Sequence, residues 1–249
     1  MCLAALAFGT STDFPLVFAA NRDELHDRPT ATAAWWSDKQ TIYGGRDLKA
    51  GGTWLAVDRR GRLAAVTNFR EDLSEEARLS RGDLVKDYLA SVLEAEEFLI
   101  ALASRQTEYG PYNLLIFDGS RLFYASNRAP GKELEKGVYA LSNASLGSDW
   151  PKVTRAEARL PECLTQRDPE ACLFEMLRDE AVHGQANDDS WRETRHRSSI
   201  FVNDARYGTR CSTVVLLNNH RGLQFTERRY GPNGVPLGES SEQFALFQH

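Results

Sequence analysis

Apolar residues in this chain fall mostly into short runs parted by turn-forming residues. Leu3–Phe8 is apolar, Gly9-Thr10-Ser11-Thr12-Asp13 carries turn chemistry, and Leu16-Val17-Phe18 is apolar again, so Met1 to Ala20 is predicted as a β-hairpin. Runs this continuous suit strands covered on both faces. Asn21 to Thr30 is polar, closes on Arg28-Pro29, and is predicted as a loop. Gly51-Gly52 marks a tight bend or a close backbone approach. Trp54–Val57 and Leu63–Thr67 flank Asp58-Arg59-Arg60-Gly61-Arg62 as a second hairpin, and Asn113–Phe117 and Leu122–Ala125 flank Asp118-Gly119-Ser120 as a third.

From Ser80 to about Ser104 the period changes to the helical one. Leu84, Tyr88, Val92, Phe98 and Leu102 recur on one stripe that Val85, Leu89 and Leu99 widen, which predicts one long helix or two broken ones. Gly137–Leu141 reads as a strand. Lys152 to about Ala158 and Pro169–Leu177 read as helices, with Pro169 at the first helical position and Asp168 as its cap. The polar stretch Gly184 to Arg197 reads as a long surface loop. Ser199–Val202, Ser212–Leu217 and Leu223–Arg228 follow as strands, and Phe244–Phe247 as an edge strand. Consecutive hairpins with grouped helices define an α+β protein with mostly antiparallel sheets, not an alternating βαβ one. Neither a repeat nor a dividing linker is visible, so residues 1–249 are expected to form a single domain.

Net charge is −5, from 35 acidic and 30 basic residues, which argues against a general nucleic-acid binder and suits a cytoplasmic protein. No apolar run approaches the ~20 residues of a membrane span, and no Lys or Arg precedes Leu3 as in a secretory signal. The four cysteines, Cys2, Cys163, Cys172 and Cys211, form no Cys-x-x-Cys pair, and only five His are present, so no metal site is expected. So few cysteines suit free thiols in a reducing compartment. Cys163, Cys172 and Cys211 read as packing residues.

Cys2 reads differently. An aminopeptidase that removes Met1 leaves Cys2 with a free α-amine. A thiolate is a strong nucleophile, and an α-amine with a pKa near ~8 can take its proton, so one residue would supply nucleophile and base. If the first hairpin pairs, the residues just after Ala20 return beside Cys2. Arg22 would then steady the thiol and Asp23 the amine. The bland reading of a lone Cys is a small buried hydrophobe, and that of Asn21-Arg22-Asp23-Glu24 is a solvated loop. Trp35 and Trp36 are candidates to face a flat apolar ligand, and Arg192–Arg197 to meet an anionic one. His26 is weighed as a general base or haem ligand against an ordinary loop residue.

Met1-Cys2, Phe18-Ala19-Ala20-Asn21-Arg22-Asp23-Glu24 and Arg28-Pro29 resemble the family named for its Asn-Arg-Asp-Glu motif, also called the transport and Golgi organisation 2 family. Gly51–Leu55, Leu63–Phe69, Arg81–Val85, Tyr112–Leu114, Tyr139–Asn143, Tyr207–Arg210 and Phe225–Arg228 extend the match in order along nearly the whole chain. The resemblance implies an N-terminal-nucleophile hydrolase-like fold, a four-layer αββα sandwich with two mostly antiparallel sheets. Choloylglycine hydrolases and penicillin V acylases, which cleave linear amides with an N-terminal Cys, are the enzymes nearest in type. By that similarity Cys2 would be nucleophile and amine base, Arg22 would steady the thiolate and Asp23 would hold the amine. Asn68 and Asn143 would be oxyanion or amine-binding donors, and Arg210 a late site residue. Asn21 and Glu24 match the motif without an assigned role and join Trp35 and Trp36 as candidate ligand-binding residues. The expected partner is a small acyl or amide substrate, with no resident cofactor. The family's link to haem trafficking and acyl-CoA homeostasis implies the alternative of a non-catalytic carrier, with haem as a carried ligand; a partner-binding scaffold is a third option.

Overall fold

The computed structural model describes residues 2–71, 77–182 and 197–247, which form thirteen strands and four α-helices in two compact units. The first unit gathers residues 1–27, 136–220 and 224–243, the second residues 28–135, 221–223 and 244–249.

In the first unit the predicted hairpin forms from β1 (Leu3–Phe8) and β2 (Leu16–Leu25), with Leu3 opposite Asn21 and Phe8 opposite Leu16. β2 does not stop at Ala20. Asn21 to Leu25, predicted as loop, stay extended because β2 also pairs along its whole length with β11 (Tyr207–Leu217). Polar side chains can line this strand because Asn21, Arg22 and Asp23 are buried among hydrogen-bonding partners. β10 (Gly137–Leu141) pairs on the far side of β1. β12 (Gly222–Tyr230) and β13 (Pro236–Ala245) complete a six-stranded sheet in the order β10-β1-β2-β11-β12-β13. The last strand begins earlier than the Phe244–Phe247 edge strand that the sequence pattern predicts.

Helices α3 (Pro151–Leu164) and α4 (Pro169–Leu177) belong to this sheet. Asp168 caps α4 as expected, accepting from the Ala171 amide at 3.0 Å. Helix α3 runs past the predicted end at Ala158 and carries Pro161 internally. Leu160 and Cys163 continue its buried stripe, and burying one such side chain is worth roughly 1.5–3 kcal/mol. Val153, Ala156 and Leu160 share one apolar cluster with Leu3, Ala5 and Ala7 of β1 and Val17 and Ala19 of β2. Cys163 and Cys172 are not free packing thiols but a disulfide joining the two helices. Ser199–Val202 is not a strand: Ile200, Phe201 and Val202 are buried, but Phe201 N–H goes to Asp179 O and Val202 N–H to Thr209 Oγ1, which leaves no ladder.

The second unit is a seven-stranded antiparallel sheet in sequential order. Its strands are β3 (Thr30–Trp35), β4 (Ile42–Asp47), β5 (Leu55–Asp58), β6 (Leu63–Asn68), β7 (Tyr112–Phe117), β8 (Leu122–Ser126) and β9 (Lys132–Leu134). The broken helical pattern resolves into α1 (Arg81–Ala90), with Ser80 as side-chain cap, and α2 (Ala95–Ala103). Leu84, Val85, Tyr88 and Leu89 bury against Ala64, Val66, Leu114 and Ile116. Gly52 meets Gly82 so closely that a Cβ there would lie 2.4 Å from the Gly82 carbonyl carbon, the close approach that the glycine pair predicts. No helix among the described residues is long and apolar enough to cross a membrane.

Candidate active site

The Leu3–Asn21 pair is the last in the β1–β2 register, so Cys2 comes next, beside Arg22. Cys2 is half-buried with a free thiol. Its backbone nitrogen donates to Asn143 Oδ1 at 2.9 Å, and its carbonyl accepts from Ser142 Oγ at 2.6 Å. Ser142 and Asn143, just beyond β10, therefore hold residue 2 by both of its backbone polar groups. Met1 lies outside the described residues, as do 192–196 of the candidate anion-binding segment. Arg197 itself sits over the Trp150 ring at 5.1 Å.

The four motif residues divide by strand alternation. Asn21 and Asp23 follow Val17 and Ala19, which pack in the cluster with α3 and α4. Asn21 is a clamp. Its Nδ2 donates to the carbonyls of Leu177 at 2.7 Å and Ile200 at 2.8 Å, and its Oδ1 accepts from Ser212 Oγ at 2.6 Å. Asp23 accepts from Thr209 Oγ1 at 2.7 Å. Burial pushes its carboxyl above the usual range, while the positive charges of the chain's amino terminus and of Lys152, the Thr209 hydroxyl and Arg22 pull the other way. Arg22, buried, lies opposite Cys211 and 3.9 Å from Glu24.

Between Thr209 and Cys211 the β2–β11 register shifts, and the residue at the irregularity is Arg210. A bulge re-aims a side chain. Arg210 Nη1 donates to Leu25 O at 2.7 Å, and burial, then the Arg22 charge, draws its guanidinium down. Cys211 is buried, and burial, then the Glu227 charge, pushes its thiol well up, as befits an inert packing thiol. His26 Nε2 lies 3.1 Å from Asp204 O, and among the described residues no group of three His, Cys, Asp or Glu could hold a metal ion.

Asn68, Trp35 and Trp36 belong to the second unit. Asn68 ends β6 and is exposed. Trp36 is buried, donates to Gly44 O at 3.0 Å and carries Arg46 over its ring at 4.4 Å. Trp35 packs edge-on against Tyr43 and Phe244, under Arg59. The first unit thus brings together Cys2, Asn21, Arg22, Asp23, Glu24, Asn143 and Arg210 of the predicted set. It adds Ser142, Thr209 and Lys152, which sequence reasoning missed. Ser142 and Thr209 stand inside the quoted blocks Tyr139–Asn143 and Tyr207–Arg210, and their neighbours were their signal. Lys152 had none, because a lysine at a helix start reads as solvated.

This architecture is that of an N-terminal-nucleophile hydrolase-like fold. An N-acylethanolamine-hydrolyzing acid amidase ortholog of Caenorhabditis elegans superposes with a TM-score of 0.52 at 12% identity, covering 86% of this chain and 92% of that one. The C2A mutant of conjugated bile acid hydrolase from Clostridium perfringens superposes with a TM-score of 0.51 at 11% identity, covering 99% of both chains. Within that fold the chain belongs to the Transport and Golgi organisation 2 family, whose model matches residues 1–232. It is 30% identical to the mouse Transport and Golgi organization 2 homolog and 29% identical to the human one, over 92% of each chain.

Proposed function

We propose that this protein is an N-terminal-cysteine hydrolase that cleaves a linear, non-peptide C–N bond of an acyl amide. The observation that carries the reading is the residue 2 nitrogen fixed 2.9 Å from Asn143 Oδ1, on a strand end beside buried Arg22 and Asp23. A base needs such an orienting partner at hydrogen-bond distance. Two of the solved structures that share the fold are named as an acid amidase and a conjugated bile acid hydrolase, which supports the same class.

The reaction requires loss of Met1. The Cys2 α-amine then takes the thiol proton, and the sulfur attacks the acyl carbon. The amine returns the proton to the departing nitrogen as the C–N bond breaks. Water attacks the thioester, releasing the acid and restoring the thiol. Arg22 steadies the thiolate, Asp23 and Asn143 hold the amine, and Arg210 adds positive charge near an acyl or anionic group. Asn68 as an oxyanion donor rests on the family resemblance alone.

Intact mass of the expressed protein reads Met1 removal, and full retention removes the proposed base. A panel of fatty-acyl and aryl-acyl amides is then expected to be turned over by wild type and not by Cys2→Ala. Equal turnover by both overturns the reading. A stoichiometric complex with haem or acyl-CoA that survives Cys2→Ala, without turnover, would favour the carrier alternative.

A further inference from the structure

Lys152 is the least expected residue of the first unit. It is fully buried, at 0% exposure, in the first turn of α3. Its Nζ makes no hydrogen bond among the described residues, and the nearest aromatic face, Trp150, is 5.9 Å away. A buried ammonium is costly, a cation at a helix N-terminus opposes the helix dipole, and a missing hydrogen bond adds to both. Three unfavourable choices at one position mark a residue kept for what its charge does. That charge acts on Asp23 of β2 first and, more weakly, on Cys2, which precedes β1. The position follows from the packing, since Val153, the next residue, sits in the cluster with Leu3 of β1 and Ala19 of β2.

We propose that Lys152 is a positioning residue of the Cys2 site: its buried ammonium keeps the Asp23 carboxylate ionised behind Cys2 and adds the positive charge that favours a Cys2 thiolate. Thr209 already donates to Asp23 at 2.7 Å, which favours the carboxylate. Burial alone would neutralise both partners, the acid by raising its pKa and the amine by lowering it. Each charge offsets part of the other's burial. Among the described residues, the groups that act on Asp23 are Lys152, Arg22 on its own strand and the Thr209 hydroxyl of β11. The nearby charges of α3 are engaged elsewhere: Glu157 accepts from Ala140 N–H, and Arg155 pairs with Asp179. The inference rests on Cys2 being the reactive group, but its test reads the thiol directly and needs no substrate.

The test is the pH dependence of Cys2 alkylation by iodoacetamide, read by peptide mass spectrometry. Cys211 is buried, and Cys163 and Cys172 are joined, so labelling reports on Cys2. Lys152→Met is expected to raise the labelling midpoint by about 0.5–1 pH unit, as loss of a nearby opposite charge should, while Lys152→Arg largely restores it. An unchanged midpoint in folded Lys152→Met overturns the proposal. A thermal-melt cycle covers the case of a poorly folding variant. Lys152→Met and Asp23→Asn should each lower Tm, and the double variant should regain part of the loss, because removing both buried charges strands neither. Additive losses overturn the pairing. Failure of amide turnover with both of these outcomes intact would fall on the hydrolase reading alone.

Discussion

Asn21 offers a measurement that depends only on hydrogen bonds. Its side chain is 1% exposed and joins three separate segments: the last residue of α4 through Leu177 O, the buried segment at Ile200 O, and β11 through Ser212. Asn21→Leu keeps the volume nearly constant and removes all three bonds. Each such bond is worth about 1 kcal/mol net, and each polar group left buried without a partner costs about 1–3 kcal/mol. Some relaxation will rehydrate or re-pair one of the stranded groups, which puts the total loss at about 3–5 kcal/mol. For a chain of this size about 1 kcal/mol corresponds to ~2–4 °C, so Tm should fall by roughly 8–15 °C. Glu24→Gln is the matched control, because the Glu24–Arg22 contact is 3.9 Å long with Glu24 26% exposed, and such a pair is worth ~0–1 kcal/mol. The assay is thermal unfolding followed by circular dichroism, with urea midpoints as the second axis. A loss for Asn21→Leu below about 1 kcal/mol, or equal to that of Glu24→Gln, would refute the clamp.

Gly52→Ala puts a methyl group 2.4 Å from the Gly82 backbone, so the β-sheet unit must shift to admit it, and a loss of about 1–3 kcal/mol in urea unfolding is expected. A neutral Gly52→Ala would show that the approach relaxes freely. His26 supplies a pH prediction: burial pushes its imidazole below the ordinary 6.5, against the pull of the Asp204 carbonyl. The folded state thus favours the neutral ring. That contribution is complete above the ordinary value and is lost as pH falls through the folded one, so His26→Gln should flatten the fall in urea midpoint between about pH 7 and pH 5. An identical pH slope in the two proteins would show that His26 does not contribute.

The hairpins were legible because short apolar runs and turn residues are local signals: Leu3–Phe8 and Leu16–Phe18 need nothing distant to be read. Gly51-Gly52 was legible for the same reason, since only glycine fits where backbones touch. What failed was whatever depends on a distant partner. Asn21 to Leu25 look like a loop until β11 pairs with them, and Ile200-Phe201-Val202 look like a strand until Asp179 and Thr209 take their amides. Thr30–Trp35 is too poor in large apolar residues to declare itself a strand. Cys163 and Cys172, nine residues apart, are joined only because α3 and α4 turn back on each other. Of the candidate site, the motif pointed to Cys2, Arg22 and Asp23, and the wider resemblance to Asn143, whereas the burial of Lys152 is a tertiary fact with no local trace.

The motif is contiguous because a strand sorts alternate residues to opposite faces. Val17, Ala19, Asn21 and Asp23 share the side that meets α3 and α4, where Asn21 ties the helix end and Asp23 meets the charge of Lys152. Arg22, one step out of phase, lies opposite Cys211 and next to the bulge that carries Arg210. Two tasks are thus interleaved on one strand: anchoring on one face, and presentation of positive charge beside Cys2 on the other. A one-residue slip of β2 would exchange the faces, burying a guanidinium against apolar helices and moving the clamp away from its carbonyls. The pairing of β2 on both edges, with β1 and with β11, holds that register. Residue 2 can therefore be held at a set distance from Asn143 because the charged motif beside it has no freedom to slide.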